Sequence, residues 1–184
     1  MISAPLTVVL MLVVTSAHQQ PTFTPTANPV SDAARTRHAR DAKNLIAAAE
    51  LLPADKYTYR PTPGQMTFGD LIAHIVQTNF PLCAAISGTA PPMPAADLKK
   101  ISAADGKESL VLAMKKSFDY CGDGFAKLQD SVLGEEALMF GQRSGMSRGN
   151  ALITMLVDWA DHYSTAASYL RLNGVLPPTA QPRK

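Results

Sequence analysis

"VDWADHYSTAASYLRLNGVLPP", residues 157–178, reads as a helix running into its stop signals, and its reading decides the fold. Asn173-Gly174 suits a left-handed cap, and Pro177-Pro178 cannot continue a helix. Asp158 and His162 stand four residues apart in an otherwise apolar run, so they share one face. A carboxylate and an imidazole on one stripe are either an exposed polar face or two ligands of a metal site. The second reading needs a third ligand from elsewhere.

Working back from this stretch, Ser147 is placed to cap the helix, and "GEEALMFGQRSGM" before it reads as a connection without strand-like alternation. A preceding helix carries Leu110, Met114, Phe118, Cys121, Phe125 and Leu128 at spacings of three and four, which is one apolar stripe. Asp105 and Glu108 resemble a capping box at its start, and Gly122 and Gly124 weaken it locally. "TAPPMPAADLKKIS" is a long Pro-rich crossover. Before it, "MTFGDLIAHIVQTNFPLCAAISG" has Thr67 as cap, Gly88 as terminator and Phe68, Leu71, Ile72, Ile75, Val76 and Phe80 on its apolar face. Pro81 inside that helix removes one backbone bond and predicts a kink. The first helix is expected to start with Ser31 and Asp32 as caps and to stop at Pro53. Four helices with one long crossover between the second and third predict an all-α four-helix bundle.

The first residues, "MISAPLTVVLMLVVTSA", carry no charged side chain, and the apolar run "LTVVLMLVV" is too short to span a bilayer. Thr15-Ser16-Ala17 offers small residues where a signal peptidase cuts. Residues 1–17 are therefore expected to be a secretory signal peptide, which implies a secreted or periplasmic protein. An uncleaved anchor and a buried apolar strand are the alternatives. "HQQPTFTPTANPV" follows as a linker over 18–30, the bundle spans 31–178, and 179–184 is a tail. Cleavage would leave His18 at a new N-terminus, where amine and imidazole could chelate copper. Cys83 and Cys121 form a pair expected to be disulfide-bonded in an oxidising compartment, or else two buried thiols. The formal net charge of +2, without a basic block, argues against a nucleic-acid partner.

His74 lies mid-helix between Ala73 and Ile75 and is the candidate third ligand. By itself a helical histidine is more often a core residue than a ligand, and Asp158, Asp161 and His162 are equally compatible with a solvated surface. The stretch from "TFGDLIAHIVQTNFPLCAAISG" to "DHYSTAASYLRLNGVLPP" resembles the DinB superfamily of metal-binding four-helix bundles. That family carries a histidine in its second helix and a His-x3-His element running into a "YLR-x-N-G-x-x-PP" ending. Tyr169-Leu170-Arg171, Asn173-Gly174 and Pro177-Pro178 match the ending, and the resemblance covers about Ser31 to Pro178.

Carried over by position, His74 and His162 match two of the family's ligands, and Asp158 stands where a third histidine is expected. A carboxylate shifts preference toward harder metals, and zinc, nickel or manganese are the candidate ions. The family's Gly-Gln after the last histidine is replaced here by Ser164-Thr165. The resemblance implies a thiol-dependent transferase, isomerase or hydrolase acting on a small-molecule substrate. The alternative is a non-catalytic, stress-associated bundle with a degenerate site. An interaction module held at the membrane is a third reading, and a homodimer is left open.

Overall fold

A computed structural model describes residues 24–182, so the expected signal peptide over 1–17 and His18 lie outside the described residues. Four long helices make the body: α1 (Pro29–Leu51), α2 (Phe68–Ser87), α4 (Gly106–Ala126) and α5 (Arg148–Leu172). A one-turn helix, α3 (Ala95–Leu98), lies within the crossover from α2 to α4. The bundle is a ring in which α2 packs on α4 and α5, and α1 packs on the same two, leaving α1 diagonal to α2.

Side-chain pairings give the directions. Asn79 meets Ser117 and Cys83 meets Cys121, so α2 and α4 run parallel. Parallel neighbours cannot be joined by a short loop, which is why a crossover of this length is needed. Tyr169 donates to the carbonyl of Met66, whereas Arg148 lies beside Gly88, so α2 and α5 run antiparallel.

The expected apolar stripes are the core. Phe68, Leu71, Ile72, Ile75, Val76 and Phe80 of α2 are buried, as are Leu110, Met114, Phe118, Cys121 and Phe125 of α4. Thr67 caps α2, its hydroxyl accepting from the Asp70 N–H at 3.1 Å, and Gly88 ends it at φ 72°. Ser147 caps α5 by accepting from the Asn150 N–H at 3.1 Å. Pro81 sits within α2, which continues six residues beyond it to Ser87.

Three expectations need correction. Ser31 and Asp32 do not cap α1, which begins earlier at Pro29 with Asn28 at its N-cap. Its free N–H groups are met instead by a distant carboxylate: Val30 and Ser31 donate to Asp130 at 3.0 and 2.8 Å, and the Ser31 hydroxyl donates at 2.6 Å. At the start of α4, the N–H of Ser102 donates to Asp105 at 2.9 Å, in place of an Asp105–Glu108 box. Finally, the segment read as a plain connection forms a hairpin of β1 (Glu136–Met139) and β2 (Gln142–Ser147), paired antiparallel. Its two-residue turn, Phe140 at φ 51° and Gly141 at φ 78°, matches the strand twist, but Phe is an uncommon occupant of that conformation.

Candidate metal centre

His74 projects from α2, about two turns past its Thr67 cap, and Asp158 and His162 project from the facing stretch of α5. The antiparallel pairing of the two helices brings them together. One ligand atom from each of the three lies within 4.8 Å of the others. The imidazoles of His74 and His162 meet edge to face, with centroids 5.0 Å apart and planes at 81°. Asp161, the neighbouring carboxylate, is exposed and takes no part in the cluster.

All three side chains are half-buried, so neither bland alternative describes them: Asp158 is not free in solvent, and His74 is not in a dry core. Nε2 of His162 stands 3.2 Å from Asp158 Oδ2, an ion-pair approach that does not meet hydrogen-bond geometry. That nitrogen is buried and has no hydrogen-bond partner among the described residues. The close approach of His162 holds the Asp158 carboxyl below the usual carboxylate range, against the opposing effect of burial. Burial, reinforced by the neighbouring His162, pushes the His74 imidazole below its ordinary value, and Asp158 opposes this only in part.

Two imidazoles and one carboxylate are a donor set for a borderline divalent cation. Bonds of about 2.0–2.2 Å in a tetrahedral shell put ligand atoms roughly 3.3–3.6 Å apart. The observed spread of up to 4.8 Å therefore asks the side chains to draw in by about 1 Å, which small χ adjustments supply.

Behind the triad lies a polar feature that apolar periodicity did not reveal. The indole N–H of Trp159 donates to Asn79 Oδ1 at 2.8 Å, and Asn79 donates to the Ser117 hydroxyl at 2.9 Å. Asn79, Ser117 and Trp159 have no exposed surface, so this chain ties α5, α2 and α4 together beneath the site. His38 of α1 packs on the same indole, with ring centroids 5.4 Å apart, and its Nε2–H donates to the Phe118 carbonyl at 2.9 Å. Gly122 makes room for it, since a Cβ there would stand 3.0 Å from the His38 ring. The available signal was one asparagine inside an apolar helix and the chain's single tryptophan.

A family model of the DinB superfamily matches residues 37–166. Two solved DinB-like proteins share the fold. One, from Bacillus subtilis, has 18% identity and a TM-score of 0.62, over 83% of this chain and 99% of its own. The other, from Bacillus cereus, has 16% identity and a TM-score of 0.59, over 80% and 95%. A mycothiol-dependent maleylpyruvate isomerase is similar over 73% of this chain and 59% of its own, with 13% identity and a TM-score of 0.57. Comparison with curated proteins finds no match.

Proposed function

The chain belongs to the DinB superfamily, and from that premise we propose that His74, Asp158 and His162 bind one divalent metal ion: zinc, nickel or manganese. The observation that carries this reading is the buried Nε2 of His162, which has no hydrogen-bond partner among the described residues and stands 3.2 Å from a carboxylate oxygen. A buried polar atom without a partner is costly, and a cation shared by the three groups would satisfy all of them.

Two of the three groups are in the right protonation states for this. Asp158 stays ionised at neutral pH, and His74 stays neutral with a lone pair to offer. Three protein ligands leave further positions open, where a metal would lower the pKa of a bound water or thiol. In the enzymatic version of this reading, the protein is a thiol-dependent transferase or hydrolase acting on a small molecule. The shared fold with a mycothiol-dependent isomerase supports that version. Asp158 in place of a histidine, and Ser164-Thr165 in place of Gly-Gln, favour the second reading, a non-catalytic bundle whose site has degenerated.

The same proposal has the protein exported on residues 1–17. The disulfide between Cys83 and Cys121 suits an oxidising compartment, where low-molecular-weight thiols of the cytosol are not at hand.

Elemental analysis of the purified protein tests the metal reading. About one divalent ion per chain is expected in the wild type, lost in His162→Ala and retained in His18→Ala. A wild-type protein that takes up no transition metal at micromolar concentration overturns it.

A further inference from the structure

A large cavity lies away from the triad. It is a groove of about 660 Å³ at the other end of the α2–α5 pair, beside Gly88 and Arg148. His74 precedes Gly88 by fourteen residues of α2, or about 21 Å along the helix. The two places are therefore separate sites, and this one is independent of any metal at the triad.

The walls of the groove are apolar and stiff. Pro91, Pro92 and Met93 of the crossover form one side, and Leu138 and Phe140 of the hairpin form the other. Leu138 and Phe140 are 49% and 38% exposed, so large hydrocarbon surfaces face open space across the groove. The crossover wall is held in place by Tyr120, whose hydroxyl donates to the Ala90 carbonyl at 2.9 Å and bonds the Thr89 hydroxyl at 2.8 Å.

Among the described residues lining the groove, Arg148 is the one charged side chain. It is mostly buried, and its Nη2 pairs with Glu135 at 3.0 Å outside the groove lining. Its Nε is buried and has no hydrogen-bond partner among the described residues. The guanidinium lies flat against Gly88, where a Cβ would fall 2.5–2.9 Å from three of its atoms. One ion pair leaves several of the five guanidinium donors unspent. A cavity of this size, apolar apart from one cation with spare donors, is built for a molecule of matching polarity.

We infer that this groove binds a small amphipathic carboxylate, its hydrocarbon body between the crossover and the hairpin and its carboxylate on Arg148. A guanidinium takes a carboxylate through paired N–H donors, a match that a lysine ammonium lacks.

Titration calorimetry with sodium octanoate on the full chain, with 1-octanol as the uncharged control, tests the assignment. Saturable binding of octanoate is expected, with 1-octanol at least tenfold weaker. Arg148→Met should weaken octanoate at least tenfold without changing metal content, and Arg148→Lys should restore only part of the loss. Leu138→Ser and Phe140→Ser alter half-exposed hairpin positions and should weaken both probes, which keeps the test sound if Arg148→Met fails to fold. The assignment is overturned if octanoate does not bind at millimolar concentration, if octanol binds equally well, or if the hairpin variants bind octanoate as the wild type does.

Discussion

Trp159 donates its indole N–H to Asn79, and Asn79 donates in turn to Ser117, so a single amide links three helices in a fully buried setting. Removing it leaves the indole N–H without an acceptor and opens a small cavity. Asn79→Ala is therefore expected to cost about 2–4 kcal/mol, measured by urea denaturation at neutral pH. His38 carries the pH dependence of the same region. Burial lowers its pKa below the ordinary 6.5, and the Phe118 carbonyl and nearby Asp119 and Asp41 only partly oppose this. In the unfolded chain it takes up a proton near its ordinary value, whereas the folded chain resists until lower pH. Stability is thus unaffected above about 6.5 and falls as the pH drops below it, down to the folded-state value. His74 is shifted the same way and contributes with the same sign. Denaturation midpoints taken between pH 7.5 and 5 should fall less steeply in His38→Phe than in the wild type. An unchanged slope would assign the effect to His74 alone.

Local chemistry and distant chemistry divide the helix ends between them. Thr67 and Ser147 cap their own helices, and each lies within three residues of the N–H it accepts from. The ends of α1 depend on partners far along the chain. Asp130 meets its first N–H groups, and Lys107 donates to the carbonyls of Glu50 and Leu52 at 2.7 and 2.9 Å. A cation on the last carbonyls also complements the negative end of the helix dipole. Asp130→Ala should therefore fray one helix end specifically. Hydrogen exchange at Val30 and Ser31 is expected to speed up at least tenfold, while amides in the middle of α1 keep their protection. Uniform acceleration along α1 would mean that the carboxylate supports the whole helix.

Across the molecule, the crossover from α2 to α4 makes those helices parallel neighbours, and a disulfide fastens them. Cys83 and Cys121 have Cα atoms 5.1 Å apart and both are fully buried, with 38 residues of separation. Constraining a loop of that length in the unfolded chain is worth about 3–4 kcal/mol in the chain-entropy model. The double variant Cys83→Ala/Cys121→Ala should lose stability of that order, and reductant in the denaturation buffer should lower the wild type while leaving the variant unchanged. A wild type insensitive to reductant would contradict the bond.

The four long helices, most of their caps and the apolar faces of α2 and α4 were legible because each is specified within a few residues. Spacings of three and four, Thr67 and Ser147 ahead of apolar runs, and Gly88 and Gly174 after them act through chemistry that the neighbouring sequence supplies. The pair Asp158 and His162 was legible for the same reason, since four residues make one face of a helix. Their meeting with His74 needed the antiparallel docking of α5 on α2, and only the tertiary structure decided how closely the three approach. The hairpin at Phe140-Gly141, the Asp130 cap on α1 and the Arg148 groove were illegible for one physical reason. Their partners are joined by packing, and no periodicity along the chain records which distant side chain will supply a missing hydrogen bond or wall.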